Sequence, residues 1–254
     1  MGRKAFMGGC ALANYNPQLV VKTAEYLKTV YPDLSVVQKC CGKPTKAIGQ
    51  YDKFHERFDG LTADLEYLQV DEIIVACQSC YKTMKENPNI KVTSLWEVLP
   101  QIGLPKEVLG KGKGSKIVFS MHDSCSVRPY HAIHDGIRWI MDELGYQYEE
   151  PEKTKGTTRC CGFGGMVVPA NPDVAKEVMK RRVSDFPTEN VLTYCAACRQ
   201  SMLLGGAKAW HILDLVWGDI VNNQDEPPID TLSQPITAWV NRYKTKLGLN
   251  KLYR

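Results

Sequence analysis

The chain has 254 residues and a formal net charge of only +4, with no lysine or arginine run dense enough to form a nucleic-acid footprint. At 44% hydrophobic and 24% charged residues it has the composition of a soluble globular protein able to bury a real core. No stretch approaches the roughly 18 consecutive apolar residues of a spanning helix, so no transmembrane segment is expected.

The start, Met1-Gly-Arg-Lys-Ala-Phe6, is basic but lacks the apolar run of a signal peptide. Phe6 also stands where a myristoylation signal needs Ser or Thr. The chain is therefore expected to be cytoplasmic, where thiols stay reduced.

In chain order, Lys4 to Gly9 reads as a buried strand that delivers Cys10 at its C-terminal end. Pro17 opens an amphipathic helix carrying Val20, Ala24, Leu27 and Tyr31 at helical spacing, and Pro32-Asp33 ends it. Leu34 to Gln38 is a second strand running into Cys40-Cys41-Gly42. A helix over about Asp52 to Leu68 and a strand over Glu72 to Ala76 lead to Cys77. The next helix begins inside Cys77-Gln-Ser-Cys80, and Lys91 to Leu95 is a fourth strand with a short helix from Trp96. Gly110-Lys-Gly-Lys-Gly-Ser115 lacks the spacer and ending of a phosphate-binding loop and reads as a linker.

The plan then repeats. Lys116 to Met121 leads to His122-Asp-Ser-Cys125, a helix over about His131 to Leu144 ends at the cap Gly145, and Tyr146 to Glu149 is the next strand. Cys160-Cys161-Gly162, a helix over Asp173 to Asp185, a strand over Asn190 to Tyr194 and a helix opening in Cys195-Ala-Ala-Cys198 complete the match. Tyr15 and Tyr130 each stand five residues after the first cysteine of their repeat.

The expected organisation is a first repeat at 1–109, a linker at 110–115, a second repeat at 116–222 and a tail at 223–254. The fold class is α/β: two pseudo-symmetric repeats, each a small parallel sheet flanked by helices, with cysteines at the strand C-terminal ends. Ligands of such sheets bind beyond those ends, so five thiols should converge on one site in each half. The tail offers Ile236, Val240, Tyr243 and Leu247 on one helical face, with Arg242, Lys244, Lys246, Lys251 and Arg254 around it. It is read first as a terminal helix packed on its own domain, with a partner-docking helix or a membrane-surface helix as alternatives.

All ten cysteines belong to two matching sets: Cys10, Cys40, Cys41, Cys77 and Cys80, then Cys125, Cys160, Cys161, Cys195 and Cys198. The intervening gaps are 29 and 35 residues in the first set, 34 and 33 in the second. Disulfides fit neither a reducing compartment nor adjacent cysteines. A structural zinc takes four tetrahedral ligands and leaves a fifth thiol unexplained. A polynuclear iron–sulfur centre offers more thiolate positions and suits five better. The close-spaced run of a ferredoxin is absent, so electrons are expected from another protein.

The pattern Cys, then Cys-Cys-Gly, then Cys-x-x-Cys, present twice between about residues 4 and 220, resembles the cysteine-rich CCG domain in the tandem arrangement of the heterodisulfide reductase B-subunit. The resemblance implies two noncubane [4Fe–4S] clusters, one on each five-cysteine set. It implies cleavage of a small disulfide between the clusters into two thiols, each fragment captured by iron before release. It also implies an electron-donating iron–sulfur partner like the heterodisulfide reductase C-subunit, with a flavoprotein as a further partner. The alternative within the same resemblance is a non-catalytic electron-transfer component of a quinone- or flavin-linked complex. The chain is shorter than a typical B-subunit between the repeats, so the mixed disulfide of coenzymes M and B is not carried over.

Around the cysteines, Gly42 and Gly162 are expected to bring backbone N–H groups to the sulfurs, and Gly164-Gly165 could do the same. His122 is a candidate proton donor to a departing thiolate, with a loop-fixing role as the alternative. Lys43 and Arg128 are candidates for binding an anionic substrate tail. His55, His131, His134 and His211 carry no readable pattern.

Overall fold

The computed structural model describes residues 2–253. Met1 and Arg254, named above at the two ends, lie outside them. The chain divides into two compact units, residues 1–98 with 231–254, and residues 99–230.

The first unit runs β1 Arg3–Met7, α1 Cys10–Tyr15, α2 Pro17–Val30, β2 Ser35–Val36, α3 Lys43–Ala47, α4 Tyr51–Tyr67, β3 Val70–Val75, α5 Gln78–Met84 and β4 Lys91–Ser94. α6, Leu95–Ile102, follows and crosses the boundary between the units. The second unit runs β5 Val118–His122, α7 His131–Leu144, β6 Gln147–Glu149, α8 Val167–Ala170, α9 Pro172–Val183, β7 Asn190–Thr193, α10 Ala196–Leu204, β8 Lys208–His211 and α11 Ile212–Trp217. The last helix, α12 Pro235–Lys251, belongs to the first unit.

Each unit holds one four-stranded parallel sheet, ordered β2-β1-β3-β4 and β6-β5-β7-β8. The central strands are continuous apolar runs, as a sheet covered on both faces requires. Ala5, Phe6, Met7, Ile73, Ile74 and Val75 are fully buried in the first sheet. Phe119, Met121, Val191 and Leu192 are their equivalents in the second. In both orders the chain reverses direction beside the first strand, which opens a crevice at the strand C-terminal edge.

The helices α2 and α9 start on the same local chemistry. Asn16 caps α2 by accepting from Gln18 N at 3.0 Å, and Asn171 caps α9 by accepting from Val174 N at 3.2 Å. Pro17 and Pro172 occupy the first helical position, where a missing N–H costs nothing. The α7 helix ends on Gly145 in the left-handed conformation, as the sequence indicates.

The 110–115 stretch lies within the second unit. Gly110 and Gly112 donate to the carbonyls of Glu143 and Leu144 at 2.7 and 2.8 Å, and Ser115 Oγ donates to Val221 O at 2.6 Å.

The α12 helix packs on α1 and α2 within the first unit, and it does so by the face opposite to the apolar one that the sequence offers. Ala238, Asn241, Thr245 and Leu249 are buried, whereas Ile236, Tyr243 and Leu247 are exposed. The reason is polar. The last carbonyls of α1 need donors. Asn241 Nδ2 donates to Asn14 O at 2.9 Å and Tyr15 O at 3.2 Å, while Thr245 Oγ1 donates to Ala13 O at 3.2 Å.

His211 caps α11: its Nδ1 accepts from Leu213 N, and Asp214 accepts from the His211 backbone. Burial, then the charge of Arg199, pushes its pKa down to about 3. The unfolded chain binds a proton here below about pH 6.5 and the folded chain does not until about pH 3. Stability is therefore expected to fall by on the order of a few kcal/mol as pH drops through that window. Urea unfolding of the metal-free protein between pH 7 and 4 measures it, and His211→Asn, which keeps a capping acceptor, should flatten part of the fall.

Candidate metal centres

The first cysteines follow β1 and β5, the paired cysteines follow β2 and β6, and the Cys-x-x-Cys runs follow β3 and β7. These three strands are neighbours in each sheet, so the topology alone brings five thiols to one edge. All ten cysteines are free thiols.

Within each set the thiols are coupled neighbour to neighbour. Cys10, Cys40, Cys41, Cys80 and Cys77 each shift the proton affinity of the next, and the Cys41 and Cys80 sulfurs lie 3.3 Å apart, with Cys80 donating to Cys41. The second set repeats the series through Cys125, Cys160, Cys161, Cys198 and Cys195. The proton affinities alternate in step. Hydrogen bonds from their neighbours drive the Cys40 and Cys160 thiols far down. Hydrogen bonding to Cys40 or Cys160, together with burial, pushes Cys41 and Cys161 up to about 12. Cys41, Cys80, Cys161, Cys195 and Cys198 are buried, while the other five are partly exposed, so each set has a closed floor and an accessible mouth.

Backbone amides are aimed at the sulfurs. Gly42 N donates to Cys40 Sγ and Gly162 N to Cys160 Sγ, both at 3.4 Å. Both glycines have positive φ, 77° and 89°. A side chain at either would collide with Phe54 or with Met179. The Gly164 N–H also reaches Cys160, as the sequence suggested.

Gly9 lies closer still. It has φ 85°, and a Cβ there would stand 2.5 Å from Cys77 Cβ and within 3.6 Å of Cys80 Sγ. Gly9→Ala is expected to displace the Cys77–Cys80 loop and cost most of the metal of the first set alone. Metal analysis against wild type checks it, and full loading would contradict the placement.

The two mouths differ in chemistry. By strand register Met7, Gly8 and Gly9 correspond to His122, Asp123 and Ser124. The His122 ligand nitrogen and the Cys161 and Cys198 sulfurs all lie within 4.8 Å of one another. Arg182 Nε donates to His122 Nδ1 at 3.1 Å, which places the ring hydrogen on Nε2, a buried atom with no partner among the described residues. Burial, then the charge of Arg182, pushes the His122 pKa down to about 3, so the ring is neutral near pH 7. The candidate proton donor is thus a neutral imidazole beside the Cys161 and Cys198 sulfurs.

Asp123 is completely buried. Burial raises its proton affinity, but hydrogen bonds from Arg138 overcome that and hold the carboxyl below its usual range. Arg138 donates to both its oxygens at 2.6 and 2.8 Å, Lys155 N donates at 2.7 Å and Tyr194 Oη at 3.1 Å. This network ties together the segments that carry Cys125, Cys160 and Cys195. Sequence reasoning named Asp123 but missed Arg138, Tyr194 and Arg182, whose partners are up to 71 residues away.

Lys43 reaches the first set through its backbone N–H, which donates to the Cys41 thiol. Arg128 donates from Nε to Thr158 O at 2.9 Å, and its charge favours the thiolate of Cys125. The equivalent charges at the first set, Arg242 beside Cys10 and Arg57 beside Cys40, carried no local signal in the sequence.

The donor set discriminates among metals. Five converging thiols exceed the four ligands of a tetrahedral ion and fit a polynuclear iron–sulfur group, with the buried, unpartnered His122 Nε2 beside the second set. In the second half Cys125, Cys160, Cys161, Cys195 and Cys198 would hold it, and in the first Cys10, Cys40, Cys41, Cys77 and Cys80.

Fold and site define a tandem α/β protein with one five-thiol centre per half. The cysteine-rich domain model, CCG, matches residues 5–85 and 119–202, more than half of the chain. The chain belongs to the CCG cysteine-rich domain family. It is 30% identical over 205 residues to an uncharacterized iron–sulfur protein of Methanocaldococcus jannaschii, covering 77% of this chain and 40% of that one. It is 24% identical to the D-subunit of the dihydromethanophenazine:CoB–CoM heterodisulfide reductase of Methanosarcina mazei, covering 85% and 56%. It is 24% identical to the B-subunit of the fumarate reductase (CoM/CoB) of Methanothermobacter marburgensis, covering 84% and 46%. The chain thus spans about half the length of the curated relatives it matches. Among the described residues no helix is long and apolar enough to cross a membrane.

Proposed function

We propose that this chain is the disulfide-reducing iron–sulfur component of a redox complex, working through two noncubane [4Fe–4S] clusters, one on each five-cysteine set. The observation that carries the reading is the completeness of both sets: each brings five free thiols to one sheet edge, after three neighbouring strands. The relationship to a heterodisulfide reductase component supports the substrate class. When bound, the clusters would supply one electron each, matching the two electrons that a disulfide needs to become two thiols.

The protein's own residues do the rest. The Gly42, Lys43, Gly162 and Gly164 amides stabilise negative charge on the ligand sulfurs. Arg128 beside Cys125 and Arg242 beside Cys10 favour the approach of anionic thiols. His122 donates a hydrogen bond from Nε2 and orients the second site, with Arg182 fixing its tautomer. The electron donor in this reading is a separate iron–sulfur protein like the heterodisulfide reductase C-subunit, with a flavoprotein further upstream.

A second reading, electron transfer within a larger complex without disulfide chemistry, is favoured by the relationship to a fumarate reductase component. Paramagnetic resonance of the oxidised protein with small thiols added separates the two. A thiol-induced signal supports disulfide chemistry, and silence toward every thiol with both clusters present supports simple electron transfer.

A further inference from the structure

The α12 helix presents two opposite faces. The face built on Ala238, Asn241, Thr245 and Leu249 is buried against the first unit. The outer face carries Ile236, Trp239, Tyr243 and Leu247, exposed by 81%, 71%, 55% and 45%. At 100° per residue these four side chains form one stripe. Arg242 and Lys246 flank it on one side, Lys244 and Lys251 on the other. The helix contains no Asp or Glu in its 17 residues. Arg242, Lys244, Lys246 and Lys251 have no acidic partner among the described residues. An apolar, aromatic centre inside a ring of uncompensated cations is the composition of an interface whose counterpart is acidic.

Its position says what kind of counterpart. The inner face of the same helix is hydrogen-bonded to the carbonyls that end α1, the helix that Cys10 begins. Arg242 lines both an outer groove of about 510 Å³, shared with Trp239 and Tyr243, and a smaller pocket that reaches Gly9 and Cys10. A partner on the stripe is thus separated from the first cysteine set by little more than one helix, about 10 Å. All ten cysteines are used in the two sets, so electrons reach them from outside these 254 residues.

We propose that the outer face of α12 is the docking surface for a small acidic iron–sulfur electron-transfer protein that delivers electrons to the first cysteine set. The cargo rests on the iron–sulfur reading above; the surface and its acidic partner do not.

The test uses the full-length, reconstituted protein with an oxidised, acidic two-[4Fe–4S] ferredoxin as probe, followed by calorimetric titration. Binding is expected at low salt and lost near 0.3 M salt, where screening is about twice as strong as near 0.1 M. Lys244→Glu with Lys246→Glu, and separately Trp239→Ala with Tyr243→Ala, should each weaken it by about tenfold or more. Both pairs are surface changes, and unchanged circular dichroism and iron content confirm that fold and centres persist. In stopped flow the reduced ferredoxin should transfer electrons to both variants at least about tenfold more slowly, while dithionite, which needs no docking, reduces all three proteins alike. Equal ferredoxin affinity in wild type and variants, or none at low salt, overturns the proposal. So does wild-type binding to phosphatidylglycerol vesicles that both variants lose while ferredoxin is ignored, which would make the stripe a lipid-binding face. Because the titration needs no disulfide turnover, its outcome is independent of whether disulfide reduction is upheld.

Discussion

Arg138→Met is expected to empty the second centre while leaving the first one filled. The Arg138 guanidinium lies 2.6 Å from Asp123 and 2.8 Å from Glu150, and Asp123 is entirely shielded from water. Removing the cation leaves a buried carboxylate without its charge partner, a change that costs about 3–5 kcal/mol. The cost falls on a particular place. Asp123 also accepts from Lys155 N and Tyr194 Oη, and its carbonyl accepts from Thr158 Oγ1 at 3.0 Å. Those bonds register the approaches to Cys125, Cys160 and Cys195 against one another. Urea unfolding followed by iron analysis should show a less stable protein with about half the iron of wild type. Glu150→Gln, which removes only the partly exposed carboxylate of the network, should have a much smaller effect. Full iron in Arg138→Met would show that the network is not what holds the second set together.

The second large effect concerns the thiols in the middle of each series. Cys41 is coupled to both Cys40 and Cys80, and Cys161 to both Cys160 and Cys198. Cys41→Ser and Cys161→Ser should each lose one centre, leaving about half the iron and half the visible absorbance, and the double variant should lose nearly all. The neighbouring protein should be little disturbed, since Ser is smaller than Cys and the strands beneath are fully buried. Iron and sulfide analysis of the three variants is the check. Retention of full iron by either single variant would contradict the ligand assignment.

The order of strands and helices was legible because parallel sheets need long apolar strands and capped crossings, and Asn-Pro, Gly145 and the doubled cysteine spacing all signal locally. The convergence of the cysteines was legible for the same reason: ten fall into two matching series with none left over, and each follows a strand. The short helix α1 was not anticipated, because it starts at a cysteine on the site and not at an ordinary cap: Gly9 supplies no side-chain bond. The burial face of α12 was not legible, because apolar periodicity singles out Ile236, Val240, Tyr243 and Leu247. The open carbonyls of α1 instead recruited Asn241 and Thr245, side chains that pattern reading counts as outward-facing. Arg242, 232 residues from Cys10, and Arg138, paired with Asp123, owe their roles to tertiary folding and leave no mark in a local window. The inequality of the two centres, glycine-rich at the first and His122-Asp123-Ser124 at the second, was present in the sequence but acquires meaning only from strand register.

The central claim is that each half holds a polynuclear iron–sulfur centre on five cysteines. Anaerobic reconstitution followed by iron and inorganic sulfide analysis tests it most directly. About eight irons per chain with visible charge-transfer absorbance are expected. About two zinc ions per chain and a colourless protein would contradict it.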